Sequence, residues 1–261
     1  MLIRRLLTVA LIAILSSFVF AQSKSKHSDK FRQLEENLPT PNEYRSASGA
    51  PGHRYWQNRA DYVIDVEIDD QNQRLIGKET VTYKNVSPDT LNYIWLQIDQ
   101  NIHAKDSDAE MTRTAPDLSN VPLNQIEQLV AREYDGRVNI TSVRDAKGNP
   151  LRNTLNKTML RIDLPTPLAP NGTFVFSVDW NYAINNNRVF GGRAGYEFFP
   201  QDGNYIYEMA QWFPRMAAYN DVSGWQHKQF LGSGEFTLEF GDYLVRITAP
   251  NDHVVTSTGV L

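Results

Sequence analysis

From Asp61 to Asp69 the chain reads DYVIDVEID, and every second side chain is apolar. Tyr62, Ile64, Val66 and Ile68 share one phase, while Asp65, Glu67 and Asp69 share the other. A period of two puts one set on each face of an extended strand, whereas a helix would scatter both sets around its axis. The segment DDQNQ then turns the chain, and LIGKETVTYKN returns as the second arm of a hairpin. SPDT is a further turn before LNYIWLQI, where Ile94, Leu96 and Ile98 oppose Tyr93 and Trp95. RVNITSV, TMLRIDL, TFVFSVDWNY, GEFTLEF, YLVRITA and HVVTST read as later strands, separated by KGN, APNG, QDGN and GD. Many short strands with this punctuation predict a mainly all-β chain, either an antiparallel sandwich or a wide curved sheet. VPLNQIEQLVARE departs from the pattern, with Leu123, Ile126, Leu129 and Val130 at helical spacing, and predicts one short helix near 121–133. Residues 183–195, AINNNRVFGGRAG, show no period and read as a mobile surface loop.

The chain opens MLIRRLLTVALIAILSSFVFAQ. Arg4 and Arg5 precede an apolar run, and Val19-Phe20-Ala21 supplies small or aliphatic residues at the cleavage positions. The pattern is that of a secretory signal peptide over 1–21, because the apolar run of about 15 residues falls short of the roughly 20 that span a bilayer. An exported location, periplasmic or extracellular, follows as an expectation, with no membrane association after cleavage. Residues 22–53 are polar and rich in Ser, Lys, Pro and Gly, which predicts a flexible leader with one weak helical turn near Phe31–Leu38. Residues 54–261 then form one β domain. The net charge of −4 becomes more negative once Arg4 and Arg5 are removed, which argues against a nucleic-acid partner. With 0 cysteines, an exported chain must be stabilised by its own core.

The chemistry of a complete active site is missing. His27, His53, His103, His227 and His253 make no HExxH helix and no local metal pair. There is no GxSxG elbow. Gly191-Gly192 lies in a polar loop, and the GKET stretch at Gly77–Thr80 lies within a strand and lacks the glycines of a phosphate loop. No catalytic residue, no metal ligand and no cofactor is assigned to this chain.

One stretch remains unexplained by periodicity: AQWFPRMAAYNDVSGWQ, Ala210 to Gln226, with two tryptophans and no regular spacing. Together with its neighbours it resembles the N-terminal domain of the aminopeptidase N family, the M1 zinc metallopeptidases, in a secreted bacterial-type variant. The run from Tyr55 to Ile102, YWQNRADYVIDVEIDDQNQRLIGKETVTYKNVSPDTLNYIWLQIDQNI, is similar to the opening hairpin and third strand of that domain. WFPRMAAYNDVSGWQ resembles the family's FPCFDEP region, with Tyr219-Asn220-Asp221 where the common motif has Asp-Glu. GEFTLEFGDYLVRITAPNDHVVTSTGVL resembles the strand pair that follows.

The resemblance implies a twisted β-sandwich that precedes a thermolysin-like catalytic domain. The zinc ligands, catalytic glutamate and GxMEN loop of the family belong to that later domain, so zinc is expected there and not in this chain. The chain reads as a fragment ending before that domain, inactive alone, whose partner is the catalytic domain and, through it, a peptide substrate. The resemblance further implies that Glu208 or Gln211 helps form the pocket for the substrate's amino terminus. It implies an interdomain surface at Trp212, Phe213, Arg215 and Trp225. The alternative for Trp212, Phe213 and Trp225 is packing in the sandwich core. A second functional reading is a free-standing secreted β-sandwich that binds or scaffolds without catalysis.

Overall fold

The computed structural model describes residues 41–112, 114, 121–122, 134–190 and 193–260. The leader at 1–40, the helix expected beyond Pro122 and Gly191-Gly192 lie outside these residues. The chain divides into two units, Met1–Gly52 and His53–Leu261. In the first, Arg45 bridges Pro51, and the Asn42 side chain accepts hydrogen bonds from the N–H groups of Tyr44 and Arg45.

The second unit holds two main sheets around one core. The alternating segments form β1 (Arg59–Asp69) and β2 (Arg74–Lys84), paired antiparallel over their full length. On the far side of β2 lies β7 (Thr173–Ala183), followed by β4 (Asn139–Asp145). The other edge is β13 (Tyr243–Thr248), which runs parallel to β1. The second sheet has the order β10 (Arg215–Met216), β3 (Leu91–Gln97), β6 (Met159–Leu168), β5 (Asn153–Asn156). Among the described residues two small ribbons accompany these sheets: β8 (Gly195–Phe199) with β9 (Asn204–Glu208), and β11 (Tyr219–Asn220) with β12 (Gly224–Trp225).

The core is the meeting of the apolar phases. Tyr62, Ile64 and Val66 of β1 and Phe176, Val178 and Trp180 of β7 face Ile94, Leu96, Leu160 and Ile162 of the second sheet in one buried cluster. Gly77 sits opposite Trp180, and a Cβ there would lie 2.3 Å from the Trp180 ring, so only glycine leaves the indole its place. Glu79 interrupts the stripe. It occupies a core-facing position, is fully buried, and neither carboxyl oxygen has a hydrogen-bond partner among the described residues. Burial pushes its carboxyl well above the ordinary range, which keeps it neutral.

Several strand expectations need correction. HVVTST forms no strand. GEFTLEF makes only isolated bridges, Leu238 to Ala217 and Phe240 to Arg59, because it crosses from the neighbourhood of one sheet to that of the other. The loop expected over 183–195 contains one helical turn, α2 (Asn187–Phe190), and α1 (Asp108–Met111) is a second short turn, capped by the Ser107 side chain. β5, β8 and β9 add strands that periodicity missed, since each is only 4 or 5 residues long. The β1–β13 pair is the parallel exception to the antiparallel expectation.

Candidate functional site

The segment from β9 to β12 carries every site residue named from the sequence. Glu208 closes β9 opposite Gly195 and is exposed. Gln211 is half-buried, with φ at +53 in the left-handed region. Three other non-glycine residues share that conformation, Gln73, Lys157 and Asn171. Gln73 and Lys157 lie in the short connections between paired strands, and Asn171 lies in the tight turn that carries the chain from β6 in one sheet to β7 in the other. Gln211 lies in no such hairpin. A long side chain held left-handed in an irregular stretch is a strained backbone that the surrounding packing must enforce.

The residues after it go to different places. Trp212 and Phe213 are both half-buried, their ring centroids 4.8 Å apart. Phe213 meets Tyr62 edge-on at 5.7 Å, and Tyr62 stacks on Tyr243 at 4.7 Å. The Tyr62 hydroxyl accepts a hydrogen bond of 2.9 Å from the Met216 N–H, which fastens the end of the segment to β1. Arg215 turns inward and pairs with Asp99, which is only 3% exposed. Burial draws the Arg215 guanidinium below its ordinary range. Trp225 is 7% exposed and belongs to the core, 5.1 Å from the Tyr219 ring and 6.1 Å from Tyr83. The structure therefore separates the four aromatic and cationic residues. Trp212 and Phe213 stay partly accessible, Arg215 forms a buried ion pair, and Trp225 packs between the sheets.

Beside Trp212 a groove of about 760 Å³ opens between the β8–β9 ribbon and residues 249–258. Ile68, Leu75 and Ile247 of the first sheet line it, with Tyr205, Tyr207 and Met209 from the ribbon side. Tyr205 and Tyr207 stack at 6.0 Å, as alternate residues on one face of β9. Burial raises the Tyr207 hydroxyl to about 12, so it stays protonated. The alternation in NYIYE was the sequence signal for these two tyrosines; nothing in the sequence pointed to His253 as their neighbour, 5.9 Å from the Tyr207 ring.

Among the described residues no group of three His, Cys, Asp or Glu could hold a metal ion. His227 stacks on Trp95 at 5.3 Å and lies 2.8 Å from the Trp225 carbonyl. Among the described residues no helix is long and apolar enough to cross a membrane.

No family model and no curated protein matches the chain. Solved structures similar to it include an M1 zinc metallopeptidase from Deinococcus radiodurans, at 13% identity and a TM-score of 0.36, over 77% of this chain and 34% of that one. A mutant of that enzyme bound to a Tyr-Ser-Ala substrate gives 13% identity and 0.37, over 74% and 33%. A two-domain M1 zinc metallopeptidase mutant bound to L-tryptophan gives 14% identity and 0.38, over 77% and 35%. The chain thus spans about a third of the length of the solved chains it matches.

Proposed function

We propose that this chain is the non-catalytic N-terminal β-sandwich of an exported zinc aminopeptidase-like metallopeptidase. In this reading the Gln211–Phe213 segment lies against a catalytic domain and shapes one wall of its peptide cleft. The resemblance of three ordered segments supports the family. The observation that carries the placement is Gln211, held at a left-handed φ of 53 outside any hairpin turn, next to two half-buried aromatic rings. Strain of this kind concentrates where a side chain must be aimed. Gln211 follows the exposed Glu208 by three residues in the chain, and in this reading either contacts a peptide's amino terminus. Zinc and the general base reside in the catalytic domain, and this chain supplies shape and polar contacts.

The test begins with the gene. Coding sequence for an HExxH helix and a downstream zinc-binding glutamate is expected beyond Leu261 in the same frame or an adjacent one. In the aminopeptidase so encoded, Gln211→Ala should raise KM for aminoacyl reporters by roughly ten- to a hundredfold, the cost of losing one hydrogen bond to a charged amine. A gene without HExxH, or a variant with unchanged kinetics, overturns the reading. The groove beside Trp212 favours a second reading, an exported binding module without catalysis, which the absence of that motif would select.

A further inference from the structure

The groove has acids along it and neither lysine nor arginine among its lining residues. The acids are Asp202 and Asp252. The Asp252 carboxylate is 73% exposed and lies 2.9 Å from Nδ1 of His253. Hydrogen bonding to His253 holds that carboxyl below the usual range, so it is anionic at neutral pH. The floor is apolar, and the sides carry the rings of Tyr205, Tyr207 and Trp212. Nε2 of His253 is buried and has no hydrogen-bond partner among the described residues. The volume of about 760 Å³ is that of a small-molecule site.

We propose that this groove binds a small organic cation, an ammonium group carried on an apolar or aromatic body. Three properties of the lining select that class. Aromatic faces attract a cation through their quadrupoles, and do so more strongly where water is excluded. Two carboxylates favour positive charge and reject anions. The apolar floor buries the remainder of the ligand. The proposal stands under either functional reading, because every residue that lines the groove belongs to this chain.

Titration of the full 261-residue chain tests it, with benzyltrimethylammonium as probe and 2-phenylethanol and phenylacetate as neutral and anionic comparators. The ammonium compound should bind saturably, with both comparators weaker by roughly tenfold or more. Asp252→Asn, at an exposed position that leaves the fold intact, should weaken the ammonium severalfold and leave 2-phenylethanol unchanged. Tyr207→Leu should weaken it similarly while Tyr207→Phe, which keeps the ring, should not; circular dichroism verifies the fold of each variant. Equal affinity for the three compounds, no saturable binding, or wild-type binding by both Asp252→Asn and Tyr207→Leu overturns the proposal. An aminopeptidase shown to function without cation binding in the groove would separate this failure from failure of the functional reading.

Discussion

Glu239 is 6% exposed and accepts a 2.9 Å hydrogen bond from the Tyr219 N–H, the attachment that holds β11 in place. Burial lifts its carboxyl from 4.5 to about 7. A carboxyl raised in the folded state favours folding fully below pH 4.5, and that contribution is lost as pH climbs through about 7. The loss attributable to Glu239 is roughly 2–3 kcal/mol between pH 5 and 8. Glu239→Gln keeps the acceptor and removes the titration, so urea denaturation curves at pH 5 and pH 8 should differ less for the variant than for wild type. An identical pH slope would count against a buried, proton-bearing Glu239. Trp225 and Trp212 should also part company under mutation. Trp225→Ala empties a core position and should cost roughly 3–5 kcal/mol. Trp212→Ser alters a half-buried ring and should cost far less, while reducing binding of a hydrophobic dye to the folded chain if the surface around it awaits another domain. A large stability loss at Trp212 with unchanged dye binding would make it an ordinary packing residue.

At the level of elements, the corner where β2 leaves its sheet for β3 is held by buried amides. The Asn58 side chain donates to the Tyr83 hydroxyl at 2.8 Å and accepts from the N–H groups of Val86 and Ser87. Asn85 donates to the Asp89 carbonyl at 2.8 Å and accepts from the Ser87 hydroxyl at 2.6 Å. All three polar residues are at most 1% exposed. Asn85→Ala strips partners from groups that water cannot reach, so a loss of about 2–3 kcal/mol is expected in a denaturation curve. Gly77→Ala probes the β2–β7 contact instead. Its Cβ must displace the rigid Trp180 ring, and the cost should be about 1–3 kcal/mol, read from the thermal midpoint and from a change in tryptophan fluorescence. A neutral outcome would mean that the two strands separate easily.

At the largest scale, β1 pairs with β13 at one edge of the first sheet, with Tyr62 opposite Tyr243 and Glu67 opposite Thr248. That parallel pair joins the first strand of the domain to its last, and the Arg59–Asp242 ion pair at 2.6 Å lies beside it. Contacts so distant along the chain require loop closure before they stabilise anything, so refolding should take milliseconds to seconds rather than microseconds. Stopped-flow tryptophan fluorescence measures it, and a microsecond phase that carries the full amplitude would contradict the closure. The sequence alone determined the period-two strands, the β1–β2 hairpin and the all-β character of the chain. These follow from local geometry, since side-chain alternation along an extended chain is fixed by the backbone. Tertiary structure decided what alternation cannot address. It made β13 parallel, broke GEFTLEF into bridges between two sheets, and sent Trp225 inward while leaving Trp212 beside a groove. The fate of an aromatic residue in an aperiodic segment depends on which neighbours the long-range pairings bring to it. No spacing within Ala210–Gln226 encodes the arrival of Tyr83, Tyr207 or His253, so only the folded chain could place them.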